Sequence, residues 1–210
     1  MERGSRPHGS GGDGEPVWDL ALLFPQQGAW SEDDYLALNR RTNWPIELSD
    51  GRLEVLAMPT PFHQRIVKYL FKLLEAFVLA NAAGEVFVAP LPVRLWPGKL
   101  REPDVLYLRP GRIRDAFSPP DGADLAMEVV SEGEESRDRD LRIKRAEYAR
   151  AGFAEYWIVD PRDRTITVLV LDAETYREHG IFGLGSNATS VLFPGFQVDV
   201  REAFAAGEAP

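Results

Sequence analysis

The stretch Asp124–Val130, DLAMEVV, decides how this chain is read. Strand alternation puts Leu125, Met127 and Val129 on one face and Ala126, Glu128 and Val130 on the other. A carboxylate in the middle of such an apolar run is costly to bury. It must shift its pKa, find a partner or hold a metal. A second acid, Asp104, follows Pro103 and opens another apolar run, DVLYL. Two acids at strand positions, with Lys144 on a predicted helix downstream, point to a divalent-metal site.

Working outward from this stretch, Ser136 is placed to cap a helix running to about Ala151, with Gly152 as its stop. EYWIVD (155–160) and TITVLVLD (165–172) read as paired strands joined by PRDR, and FQVDV (196–200) as a last short strand. Towards the N-terminus, EVFVAP (85–90) and PVRLW (92–96) are strand-like. Thr60-Pro61 opens a long helix whose Ile66, Val67, Leu70, Phe71, Leu74, Phe77 and Val78 recur at helical spacing, and Gly84 ends it. IELSDGRLEVL (46–56) carries Asp50-Gly51 between two strand-like runs, a hairpin signal. Ser31 caps the short helix EDDYLALNRR (32–41). No internal repeat is present. The order predicts a mixed α/β or α+β domain with a central sheet, preceded by a helix and a hairpin.

The chain has 210 residues and 44% apolar content, which suits one domain with a substantial core. We place that domain over residues 17–205. The Gly-rich start, residues 1–16, is expected to be a disordered tail without signal-peptide character, and residues 206–210 a loose end. No cysteine is present, which excludes disulfides, thiolate zinc sites and cysteine nucleophiles and fits a cytoplasmic protein. The three histidines, His8, His63 and His179, are far apart, so hard oxygen ligands and Mg²⁺ or Mn²⁺ are favoured over a histidine-rich site. No apolar run is long enough for a membrane helix.

The net charge of −9 argues against a nucleic-acid partner, but its distribution is uneven. Arg94–Asp115 and Arg137–Arg150 each hold six basic residues against three acids. These windows flank the proposed site; they are either a phosphate-facing surface or two solvated faces.

The residues suit phosphodiester hydrolysis, in which carboxylate-held metal activates water and balances charge. Asp104 and Glu128 are the candidate ligands, with the Val129 backbone carbonyl as a third. Lys144 is the candidate ammonium for orienting water. On an ideal helix Leu141, Lys144 and Tyr148 fall within an arc of roughly 60°. Asp140, four residues before Lys144, is either an ordinary helix pair or holds the ammonium in place. Glu47, in the first hairpin, either reaches the metal or makes a cross-strand charge pair. His63, in the first turn of the long helix, reads as a polar residue near the cap. Tyr148, Tyr156 and Trp157 read as core aromatics. Phosphate loops, nucleophile elbows and HExxH patterns are missing from the sequence.

Pro103-Asp104, Glu128 and Lys144 resemble the PD-(D/E)XK nuclease signature. Within that superfamily the chain is similar to the Uma-two family of bacterial restriction-endonuclease-like proteins. IELSDGRLEVL with PTPFHQRIVKYL, REPDVLYL, AMEVVSEGEESRDRDLRIKRAEYARAG and EYWIVDP carry the likeness, from about Trp44 to Pro161. The resemblance implies a restriction-endonuclease-like core, a mixed sheet flanked by helices, and a metal-dependent endonuclease with DNA as substrate. It also implies a displaced lysine. E-x-K would place one at position 130, which is Val130, and the D-x-x-x-K of the next helix is matched by Asp140 and Lys144. Glu47 and His63 match the family's hairpin glutamate and helix-opening histidine. After Ser131 the chain departs from the family's Pro-Ser-Thr, reading Glu132, Gly133, Glu134. The alternative reading is a non-catalytic module with the nuclease fold that binds nucleic acid or a protein. A homodimer is the simplest way to cut both strands of a duplex.

Overall fold

The computed structural model describes residues 24–208, so the tail expected over 1–16 lies outside the described residues. In chain order these residues form α1 (Glu32–Asn39), β1 (Ile46–Ser49), β2 (Arg52–Val55), α2 (Pro61–Ala80), β3 (Glu85–Val88), β4 (Val93–Trp96), β5 (Lys99–Arg101) and β6 (Val105–Leu108). There follow β7 (Leu125–Val129), α3 (Glu134–Asp138), a π-helical turn (Arg139–Ile143), α4 (Lys144–Arg150), β8 (Glu155–Asp160), β9 (Thr165–Asp172), β10 (Thr175–Phe182), β11 (Asn187–Thr189), β12 (Gln197–Asp199) and α5 (Val200–Glu208).

Six strands make the central sheet in the order β10-β9-β8-β7-β6-β3. It is mixed. β7 runs parallel to β8, and the other pairings are antiparallel. The parallel pair needs a crossover, supplied by α3, the π turn and α4. The first hairpin does not join this sheet. With β5 and β4 it forms a separate antiparallel sheet, in the order β2-β1-β5-β4. Its turn is the expected Asp50-Gly51, with both residues at positive φ (50° and 79°).

The alternation read from DLAMEVV holds. Leu125, Met127 and Val129 pack under α2 and α5 with Ile66, Leu70, Leu74 and Trp157. Ala126 and Val130 pack on the opposite side with Tyr148, Phe153, Tyr156 and Ile158. Helix α2 starts as expected: the Thr60 side chain accepts a hydrogen bond from the His63 N–H, and Pro61 takes the first helical position.

Three local expectations are corrected. The crossover helix begins at Glu134 after Gly133, and Ser136 is buried within it rather than capping it. Residues 206–208 are not loose; they complete α5. Val200, Ala203, Phe204 and Gly207 are buried at helical spacing. Gly207 lies so close to α2 that a Cβ there would come within 2.7 Å of the Phe62 ring. Finally, β10 escaped the sequence reading because its EHG centre is polar; it is an edge strand with an exposed face.

Glu155, fully buried at the start of β8, binds the segment after β11 to the sheet. Oε1 accepts from Trp157 Nε1 (2.6 Å) and Ser190 Oγ (2.7 Å), and Oε2 from the Val191 and Leu192 N–H groups (2.7 and 2.9 Å). Glu155→Ala strands these donors and is expected to destabilise the fold by about 3 kcal/mol in urea denaturation. A loss well under about 1 kcal/mol would mean that water replaces the carboxylate.

Candidate active site

The strand register brings the two acids together. Val105 pairs with Met127, so Asp104 and Glu128 stand opposite each other one step further along. Asp104 Oδ2 accepts the Val129 N–H at 2.8 Å, which fixes its carboxylate at the C-terminal end of β7. Glu128 shares its face with Ala126 and Val130 and therefore points at α4. There its Oε1 accepts from Lys144 Nζ (2.8 Å) and Tyr148 Oη (2.7 Å). Oε2 accepts no hydrogen bond from the described residues.

The π turn sets the phase of this helix. Ser136, Asp140, Lys144 and Tyr148 are all buried, at four-residue intervals. A regular α-helix drifts by about 40° over each such interval. The wider turn, in which the Lys144 N–H reaches the Arg139 carbonyl five residues back, counters that drift. Lys144 Nζ consequently also lies 3.4 Å from Glu47 Oε1 and 3.6 Å from Asp140 Oδ1.

Glu47, fully buried, makes the expected cross-strand charge pair: β1 and β5 run antiparallel with Leu48 opposite Leu100, which sets Glu47 opposite Arg101. Its Oε2 accepts from Arg101 Nη1 (2.7 Å), and its Oε1 accepts the Glu102 N–H (3.0 Å). Burial disfavours its charge, but Lys144 and Arg101 outweigh this and hold it down at about 2. Arg101 also binds Glu54 and Glu147, and Lys99 binds Glu147. His63 Nε2 stands 2.9 Å from the Val129 carbonyl oxygen and 3.2 Å from Asp104 Oδ2, bridging two of the expected metal ligands. Burial works to lower the imidazole pKa, but Asp104 and the carbonyl raise it on balance.

Glu128 moves the other way. Burial pushes it up, Lys144 offsets part of this, and Asp104, Asp140 and Glu47 add to it, leaving it at about 8. Asp140 is raised by burial and its neighbours, against the pull of Lys144 and Arg139. Lys144 is raised despite burial, by Glu128, Glu47 and Asp140. Among the described residues no group of three or more Asp, Glu, His or Cys side chains is arranged to hold a metal. Glu47 and Asp140 are turned to Lys144, leaving Asp104, Glu128 and the Val129 carbonyl as the candidate oxygen set.

These groups line a cavity of about 90 Å³. Larger hollows adjoin it on two sides. One, of about 690 Å³, shares Ala57, His63 and Ser131 with it. The other, of about 530 Å³, shares Pro45, Pro59, Gln64, Ala89 and Glu102.

Three participants escaped the sequence reading. Tyr148 lies in the core as expected, and its hydroxyl also donates to Glu128; its position four residues after Lys144 is the available signal. Arg101, next but two to Asp104, is the buried counter-ion of Glu47. Arg139 lines the small cavity with its buried Nε lacking a hydrogen-bond partner. The two basic windows prove to be mostly internal pairs. Arg94, Lys99, Arg101, Arg109, Arg112, Arg137 and Arg142 all bind acids. No helix among the described residues is long and apolar enough to cross a membrane.

A mixed sheet that sets two carboxylates beside a helix-borne lysine defines a nuclease-like architecture. A crystal structure titled "putative nuclease belonging to DUF820", from Anabaena variabilis, has the same fold. Its TM-score is 0.69 at 16% identity, with 85% of this chain and 99% of that chain covered. The sequence itself matches the Uma2 family, described as "Putative restriction endonuclease", over residues 32–201, and the chain belongs to that family. No curated protein matches it.

Proposed function

We propose that the chain hydrolyses phosphodiester bonds in DNA with the help of Mg²⁺ or Mn²⁺. The observation that carries this reading is the pairing of Asp104 with Glu128 across β6 and β7, in a small cavity flanked by two larger ones. Hollows adjoining the acids on two sides suit a polymeric substrate.

The donor set fits a hard divalent cation: two carboxylates and one backbone carbonyl, with a bound cation expected to release the proton that burial keeps on Glu128. Asp104, Glu128 and the Val129 carbonyl would hold it. When bound, such an ion activates water and stabilises charge on the phosphoryl oxygens. Lys144 cannot wander, because Glu128, Glu47 and Asp140 surround it. It presents a fixed ammonium for orienting water beside Glu128. The Arg139 guanidinium can offset phosphate charge at the cavity wall. His63 fixes the Val129 carbonyl and Asp104 relative to each other.

Calorimetric titration with Mn²⁺, with and without a DNA duplex, tests the reading directly. Wild type is expected to bind the metal, and Asp104→Asn to bind it at least about tenfold more weakly. No metal binding and no metal-dependent cutting by wild type would replace this reading with a non-catalytic nuclease-fold module.

A further inference from the structure

The hollow of about 530 Å³ beside the acids is walled unlike the rest of the surface. Trp44 stands on it 64% exposed and Phe117 88% exposed, with Met58 between the loops at 65%. Exposed aromatic rings of this size are held out deliberately here. The Trp44 N–H is tied to Thr42 Oγ1 (3.1 Å) in the α1–β1 loop. Phe117 rides on a turn braced by Asp115, which accepts the Phe117 N–H (3.0 Å) and the Ser118 hydroxyl (2.6 Å).

The polar part of the wall is equally informative. Arg40 is exposed and makes no ion pair with the described residues. The Asn43 and Gln64 side-chain amides make no hydrogen bond with the described residues. Glu102 is the one acid among the lining residues, and its Oε1 is already taken by Tyr35 and Asn39. The hollow is therefore aromatic, amide-bearing and balanced in charge, Arg40 against Glu102, on a chain of net charge −9. It also adjoins the candidate active-site cavity, sharing Pro45, Pro59, Gln64, Ala89 and Glu102 with its lining.

We infer that this hollow receives unpaired nucleobases of the nucleic-acid strand whose phosphate lies at Asp104 and Glu128. Trp44 and Phe117 stack on base faces, Arg40 meets a neighbouring phosphate, and Asn43 and Gln64 meet base edges. The inference rests on the nuclease reading, which supplies the strand. Stacking on exposed aromatics tolerates any base, because every base has a π-face. A protein segment would find one free guanidinium and few apolar contacts beyond the three exposed side chains. A continuous strand passing the acids explains why this hollow adjoins that cavity.

The test uses the full chain in EDTA, so that nothing is cut. A fluorescent single strand of twelve thymidines is compared with an abasic strand of equal length and charge. Trp44→Ala and Phe117→Ala are expected to weaken thymidine binding about tenfold or more, with Trp44→Phe retaining most of it. The abasic strand should bind wild type more weakly and be indifferent to Trp44→Ala. Both residues are exposed, so thermal melting should not change. Equal thymidine binding by wild type and both alanine variants would overturn the inference, as would equal affinity of wild type for the two strands. A change in molecular mass on ultracentrifugation, with strand binding unchanged, would overturn it in favour of a second protein copy. Metal-dependent cutting of a plasmid is measured alongside. If wild type cuts but the strand results fail, only this inference falls; if wild type neither binds nor cuts, the nuclease reading falls with it.

Discussion

Glu128→Gln is expected to reduce metal-dependent cleavage by about 10³-fold or more while leaving the chain folded. A loss of that size corresponds to roughly 4 kcal/mol of transition-state stabilisation, within reach of one lost ligand to a catalytic cation. The substitution keeps the shape and an oxygen for Lys144 and Tyr148, so their positions in α4 need not change. It removes a charge that the folded chain holds reluctantly. Glu128 is raised from 4.5 to about 8, so the native state keeps a proton that the unfolded state releases. Its contribution to stability is present below the unfolded value and is lost as pH rises through about 8. Glutamine does not titrate. In metal-free urea denaturation the variant should therefore gain on wild type between about pH 5 and pH 8. Cleavage surviving in purified Glu128→Gln would sink the assignment of Glu128 as a ligand. A stability difference that ignores pH would sink the account of its protonation.

Arg101→Met is expected to be the most destabilising single change near the site. Arg101 is 1% exposed and is the guanidinium partner of the fully buried Glu47, with Glu54 and Glu147 on its other donors. Methionine matches much of its volume but leaves Glu47 with Lys144 as its remaining cation. Breaking one partner of a buried ion pair costs about 3–5 kcal/mol. For a domain of this size that lowers the melting temperature by roughly 10 °C or more. Adding Glu47→Gln should restore part of the loss, because the second change removes the stranded charge. A shift of only a degree or two for Arg101→Met would show that water enters and solvates Glu47. Glu54→Gln, at the exposed end of the same network, should change stability little.

Elements with local signals were legible. The alternation in DLAMEVV, the Asp50-Gly51 turn and the Thr60-Pro61 cap each depend on residues close in sequence. The second sheet was legible only in its hairpin. β5 is three residues of mixed polarity, and its partner β1 lies some fifty positions earlier, so nothing nearby announces the pairing. At the site, Asp104, Glu128 and Lys144 were visible as charges in apolar settings, and the structure brings them together. What each of the remaining charges does was not visible. Glu47 meets Arg101 across β1 and β5, a pairing that nothing nearby in the sequence announces, and most arginines of the two basic windows meet acids across the fold. Charge counted along a sequence cannot distinguish a surface from a set of internal pairs, because the partners are chosen by topology. The π turn was equally hidden. The pattern around Lys144 is what a regular helix would show.

Deleting one residue between Arg139 and Ile143 would return this stretch to an unbroken α-helix. No loop would be lost and no strand would shift register. A π turn takes five residues through about the angle that an α turn covers in four, so Lys144 and Tyr148 would still face Glu128. In a sequence alignment the event would be a single gap that, with Asp140 retained, sets the acid and the lysine three residues apart instead of four. A relative bearing that gap would keep the same ammonium under a different spacing, so one codon separates chains that share the site but not the motif.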